Sequence, residues 1–130
     1  MRRTLAVSMF AAALLAGLPG LHAAAPADSP GEVARGATLF SQRCAICHTV
    51  AGRGGKIGPD LTRVAGRAAA GGGFAYSPAL KKLVWKWTPA NLDTFLKNPA
   101  KVAPGTMMPV SVVNPDDRKV IIAYLSAQQR

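Results

Sequence analysis

The sequence predicts an all-α domain of several short helices joined by long loops. Three observations predict it. Pairs of a capping residue and proline recur at Ser29-Pro30, Ser77-Pro78, Thr88-Pro89 and Asn114-Pro115, each ahead of apolar residues at helical spacing. No run alternates convincingly as a strand, and no internal repeat is present. The long glycine- and proline-bearing stretches between the helix starts imply that the chain drapes over a body that is not protein.

Each element follows from its residues. Ser29 can cap the first helix, Pro30 suits its first turn, and Glu32 stands three after the serine as a capping-box partner. Val33, Ala37 and Phe40 fall on one face of that helix. Gly36 lies inside it at a cost of about 1 kcal/mol relative to alanine, which fits a position where another helix crosses closely. The helix should end as the chain enters Arg43 to Thr49. Val50 to Pro59 is a glycine-rich basic loop; it lacks a Gly-Lys-Ser/Thr ending and a preceding strand, so it does not cradle phosphate. Thr62 to Ala70 holds at most one or two helical turns, and Gly71-Gly72-Gly73 is a surface bend. Ser77-Pro78 leads a short basic helix through Leu80, Leu83 and Val84. Thr88-Pro89 leads a helix that buries Leu92, Phe95 and Leu96 and stops before Pro99. Lys101 to Val113 fits no regular element. The last helix opens at Asn114-Pro115-Asp116-Asp117, where acids favour the positive helix end, and carries Val120, Ile121, Tyr124 and Leu125 as its stripe.

Ahead of this domain stands a leader. Arg2 and Arg3 form a basic n-region, Leu5 to Leu18 is almost wholly apolar, and Ala23-Ala24-Ala25 offers a small-residue cleavage site. The apolar run is shorter than the ~20 residues that cross a bilayer. Expected boundaries are a secretory signal over 1–25, a loose tail over 26–30 and one domain over 31–130; Ala25-Pro26-Ala27 is a second candidate cleavage site. Cutting 25 of the 130 residues leaves 105, enough for one domain. The leader removes 2 of the 16 basic residues and none of the 6 acidic ones, so the mature polypeptide stays near +8. Such a charge suggests nucleic acid first, but an exported protein does not meet the genome; acidic docking surfaces on other redox proteins are the better partner.

The chemistry sits in Cys44-Ala45-Ile46-Cys47-His48. Two cysteines separated by two residues and followed by histidine form the c-type haem attachment motif. Each thiol can form a thioether to a haem vinyl group, and His48 can reach the iron. A zinc site would need further ligands that the mature chain lacks, and a thioredoxin-like pair would need a βαβ context. Gly58-Pro59 can orient the His48 ring, whose other nitrogen should donate to a backbone carbonyl. Of the other possible iron ligands, His22 leaves with the leader, as do Met1 and Met9. Met107 and Met108 are then the only thioether candidates.

These residues together resemble class I cytochrome c, in its mitochondrial-like branch with bacterial periplasmic relatives. The likeness runs from about Gly31 to Leu125. It rests on Gly36 and Phe40 before the haem motif, Gly58-Pro59, Gly66-Arg67, Gly73-Phe74-Ala75-Tyr76-Ser77, Trp87, Asn98-Pro99, Pro104-Gly105-Thr106-Met107-Met108, and Tyr124-Leu125. The resemblance implies the class I cytochrome c fold, several short helices around one covalent haem c. It implies attachment at Cys44 and Cys47, axial ligation by His48 and Met108, and a site completed by Pro59 and Thr106. Arg67, Tyr76 and Trp87 are implied as propionate partners. Three departures stand out: Met107 occupies a common lysine position, Phe95 a usual tyrosine, and Leu80 a common asparagine, which leaves a more apolar distal side.

A soluble, periplasmic, monomeric one-electron carrier is the implied function, without enzyme activity or a small-molecule substrate. It would shuttle between a membrane oxidoreductase and a terminal oxidase or reaction centre. Lys56, Lys81, Lys82, Lys86, Lys97 and Lys101 are the expected steering charges. A dedicated acceptor for a periplasmic dehydrogenase shares every one of these residues. A peroxide reducer or gas binder would need a labile Met108 and a distal acid or base, and no distal histidine is available.

Overall fold

Local chemistry sets where each helix begins. In the computed structural model, which describes residues 28–50 and 57–129, the elements are α1 (Pro30–Arg43), α2 (Pro78–Lys81), α3 (Pro89–Lys97), α4 (Pro99–Val102) and α5 (Pro115–Ala127). Every one starts with proline in its first turn behind a capping side chain. Ser29 and Glu32 close a reciprocal capping box on α1, and Asn114 accepts from the backbone N–H groups of Asp116 and Asp117 on α5. The all-α class is thereby observed. The leader with its cleavage site, Lys56 and most of the Val50–Pro59 loop lie outside the described residues.

Packing of α1 on α5 is the largest helix contact. Its closeness comes from Gly36: a Cβ there would lie 1.9 Å from the Val120 carbonyl oxygen and 2.8 Å from Tyr124 Cβ. Phe40 stacks at a tilt on Tyr124, ring centroids 5.3 Å apart. Ion pairs Arg35–Asp117 (2.9 Å) and Lys119–Glu32 (2.6 Å) span the same two helices. Exposed pairs of this kind contribute about 0–1 kcal/mol, whereas burying Ile121 or Phe40 contributes about 1.5–3 kcal/mol each. Apolar packing therefore fixes the crossing, and the charges only decorate it. The core continues through Val64, Leu80, Trp87, Leu92, Phe95, Leu96 and Val112, all buried.

Two expectations need correction, and a third is met at its lower limit. Thr62 to Ala70, expected to hold at most one or two helical turns, holds none, only isolated turns closed by Val64 N to Leu61 O and Arg67 N to Val64 O. Arg63 (φ 54°) and Gly66 (φ 81°) are left-handed, and the N–H groups of Gly66 and Ala69 donate to Trp87 and Trp85 carbonyls. An isolated antiparallel bridge joins Ala68 to Lys86. That pairing also ends α2 at Lys81, because the chain must extend over Leu83 to Trp87; Val84 is fully exposed rather than part of a helical stripe. Finally, Lys101 and Val102 belong to α4, nucleated by the Asn98 side chain accepting from Lys101 N (3.0 Å) and by Pro99. A second start signal directly behind α3 escaped the reading because the helix it opens is a single turn.

Candidate haem site

Residues 44–48 form a turn built directly on the end of α1. Cys44 N donates to Phe40 O (2.8 Å), and the N–H groups of Cys47 and His48 both donate to Cys44 O (3.1 and 2.9 Å). The two thiols are free and half-buried; burial pushes the Cys44 thiol above its ordinary value, against the nearby positive charge of Arg43. Residues 57–61 clamp onto this turn. Gly58 N donates to Cys47 O (3.0 Å), Leu61 N to Thr49 O (2.7 Å), and Thr49 Oγ1 to Asp60 Oδ2 (2.6 Å).

His48 Nδ1 lies 2.9 Å from the Pro59 carbonyl oxygen. A carbonyl only accepts, so this bond places the proton on Nδ1 and leaves the Nε2 lone pair for a ligand. Gly58 is required beneath the ring: an added Cβ would meet His48 Cε1 at 2.6 Å and Nδ1 at 2.8 Å.

A second set of polar groups gathers where residues 66–69 pair with 85–87. Arg67 Nη2 donates to Asp60 O (3.0 Å) and Nη1 reaches Thr62 O at 3.4 Å, while Arg67 Nε is buried without a partner. Tyr76 OH donates to Gly71 O (2.9 Å), and Trp87 Nε1 to Ala69 O (3.3 Å). Trp85, which the sequence reading passed over, has a buried Nε1 with no partner. Its only signal was the Trp-Lys-Trp spacing.

The methionine pair divides cleanly. Met107 is 85% exposed, whereas Met108 is half-buried and packs on the core cluster, as Cys44 does. Gly105 (φ 90°) turns the chain ahead of them, and Thr106 Oγ1 accepts from Met108 N (3.2 Å). Arg118, which the sequence reading also passed over, is buried in α5.

A profile of the family described as Cytochrome c matches residues 33–129. The chain belongs to the cytochrome c family. It is 40% identical to the cytochrome c-type cyt cy of Rhodobacter capsulatus over 107 residues, 81% of this chain and 53% of that protein; the chain thus spans about half the length of that relative. It is 39% identical over 103 residues to the cytochrome c of Arabidopsis thaliana, 77% of this chain and 92% of that one. Among solved structures, cytochrome cH from Methylobacterium extorquens superposes with a TM-score of 0.68 at 37% identity, covering 73% of this chain and 97% of its own.

Cytochromes c are electron carriers, not enzymes, and carry haem c on a cysteine pair like Cys44 and Cys47. The donor set of this cytochrome fits that group. An imidazole with one nitrogen free follows two unpaired cysteines in the same turn, and buried N–H donors at Arg67 and Trp85 await an acceptor. Leaving such donors unsatisfied costs about 1–3 kcal/mol each, and an anionic acceptor such as a carboxylate side chain of haem would remove that cost. Among the described residues, no group of three or more His, Cys, Asp or Glu could hold a conventional protein-bound metal ion.

Proposed function

We propose that this protein is a soluble periplasmic one-electron carrier of the mitochondrial-like cytochrome c branch. It holds haem c through Cys44 and Cys47, with His48 and Met108 as axial ligands. The observation that carries the reading is the His48 Nδ1–Pro59 O bond, which leaves Nε2 free for a ligand on the residue directly after Cys47. Burial separates the methionines in the same sense: Met108 faces the core and Met107 faces solvent.

When bound, haem supplies the ferric–ferrous couple. With His48 and Met108 both holding the group, a substrate would find no vacant ligand position, which favours electron transfer over chemistry at the iron. A soft thioether favours ferrous iron and raises the potential relative to two imidazoles. Leu80 and Phe95 are buried in the cluster on which Met108 packs; they bring no polar groups there and exclude water, which supports the same direction. Arg67, Tyr76 and Trp87 would hold the propionates: Arg67 Nε already lacks a protein acceptor, whereas Tyr76 OH and Trp87 Nε1 would have to exchange Gly71 O and Ala69 O for them. Thr106 supports the methionine backbone. Electrons pass between a membrane oxidoreductase and a terminal oxidase or reaction centre, with acidic docking surfaces on both.

The visible spectrum of haem-loaded ferric protein tests the ligand set. The weak near-infrared charge-transfer band of thioether-to-iron ligation is expected in the wild type and in Met107→Ala, and is expected to vanish in Met108→Ala. Its absence from the wild type, with rapid carbon monoxide binding after reduction, would overturn the carrier reading.

A further inference from the structure

Met108 stands in an arm whose two ends are fixed differently. On its N-terminal side, buried Ala103 donates to Pro99 O (2.8 Å) and accepts from Thr106 N (2.9 Å). On the other side Val112, 1% exposed, donates to Leu96 O of α3 (2.8 Å). The carbonyls of Val112 and Val113 both accept from Arg118 Nη1 (3.0 and 2.8 Å), and Arg118 Nε donates to Asp93 Oδ1 (2.6 Å). One guanidinium from α5 thus ties the end of the arm to α3.

We propose that Arg118 is a positioning residue for Met108: its clasp on Val112 and Val113 sets how readily the methionine leaves the iron. The inference rests on the axial role proposed above for Met108. Arg118 is the one charged residue buried among the described residues, at 6% exposure. A buried ion pair adds little net stability over apolar packing, so its consequence here is geometric. The planar fork reaches a carboxylate on one side and two successive carbonyls on the other, which a lysine ammonium cannot do at once. Met108 and Val112 are four positions apart, a span of at most roughly 14 Å when extended. Release of the thioether requires the arm to swing, and a clasped Val112 limits that swing. Without the clasp, Val112 N to Leu96 O is the backbone tie that remains at that end.

The test is the rate at which imidazole displaces the thioether in haem-loaded ferric protein, followed through loss of the near-infrared band. Arg118→Met is expected to bind imidazole about tenfold faster or more. Asp93→Asn, at a carboxylate 45% exposed, should shift the rate the same way by less. Arg35→Ala breaks the Arg35–Asp117 pair between α1 and α5 without touching the arm, and should leave the rate unchanged. Wild-type rates in both Arg118→Met and Asp93→Asn would overturn the proposal, as would an equal acceleration in Arg35→Ala. Should Arg118→Met fail to load haem, Asp93→Asn decides alone. A wild type without the band would instead sink the axial reading of Met108, and this inference with it.

Discussion

His48 shows how much a single residue's environment does. Its ring is fixed from one side by the Pro59 carbonyl and from below by the bare Cα of Gly58. Gly58→Ala puts a methyl group 2.6 Å from Cε1, with the Cys47 carbonyl oxygen also close at 3.1 Å. The ring has to tilt, weakening its bond to Pro59. We expect a loss of about 1–3 kcal/mol, read as a lower urea midpoint, together with displaced His48 ring resonances. An unchanged midpoint and unchanged resonances would show that the loop yields instead.

Helix pairing is where the larger penalties lie. At Gly36 a methyl group would sit 1.9 Å from the Val120 carbonyl oxygen. Both atoms belong to rigid backbone, so α1 and α5 must part along their length. Gly36→Ala is expected to cost about 3 kcal/mol or more, seen as a depressed Tm and lost near-ultraviolet dichroism. The Lys119–Glu32 pair across the same helices gives a pH signature. Bonds from Lys119, then from the backbone and side chain of Ser29, hold the Glu32 carboxyl down to about 2, against 4.5 ordinarily. A lowered folded value means the contribution is complete above pH 4.5 and disappears as the pH falls toward about 2. Because the group is open to solvent, the effect is small. Wild type should exceed Glu32→Gln in Tm at pH 6, and the gap should close by about pH 2. A gap that persists at pH 2 would assign the difference to shape rather than charge.

Charge is a property of the whole molecule. The full sequence carries 16 basic and 6 acidic residues. Three of the carboxylates are paired with cationic side chains: Glu32 with Lys119, Asp93 with Arg118, Asp117 with Arg35 and Arg43. Lys81, Lys82, Lys86, Lys97 and Lys101 all face solvent. These exposed lysines are the charges on which the proposed steering toward acidic partners rests. Bimolecular reduction of an acidic redox partner should slow about tenfold between roughly 10 mM and 150 mM salt. A rate indifferent to salt would remove electrostatic docking from the proposed function.

Short-range chemistry was legible in the residues alone. The starts of α1, α2, α3 and α5, the haem-attachment motif, and the requirement for a small residue at Gly36 all follow from contacts within one turn or from one unusual residue. The bond from the His48 ring to the Pro59 carbonyl was legible from the Gly58-Pro59 pair rather than from a contact within one turn, since the two residues lie 11 apart. Only the tertiary structure decided what depends on distant chain segments. Pairing of 66–69 with 85–87 cut α2 short and replaced the expected turns, because cross-chain hydrogen bonds outweigh a weak local helical preference. Packing, not sequence order, put Met108 against the core and Met107 in water. Arg118 was buried by partners 25 and 6 residues away, a placement that no helical period contains.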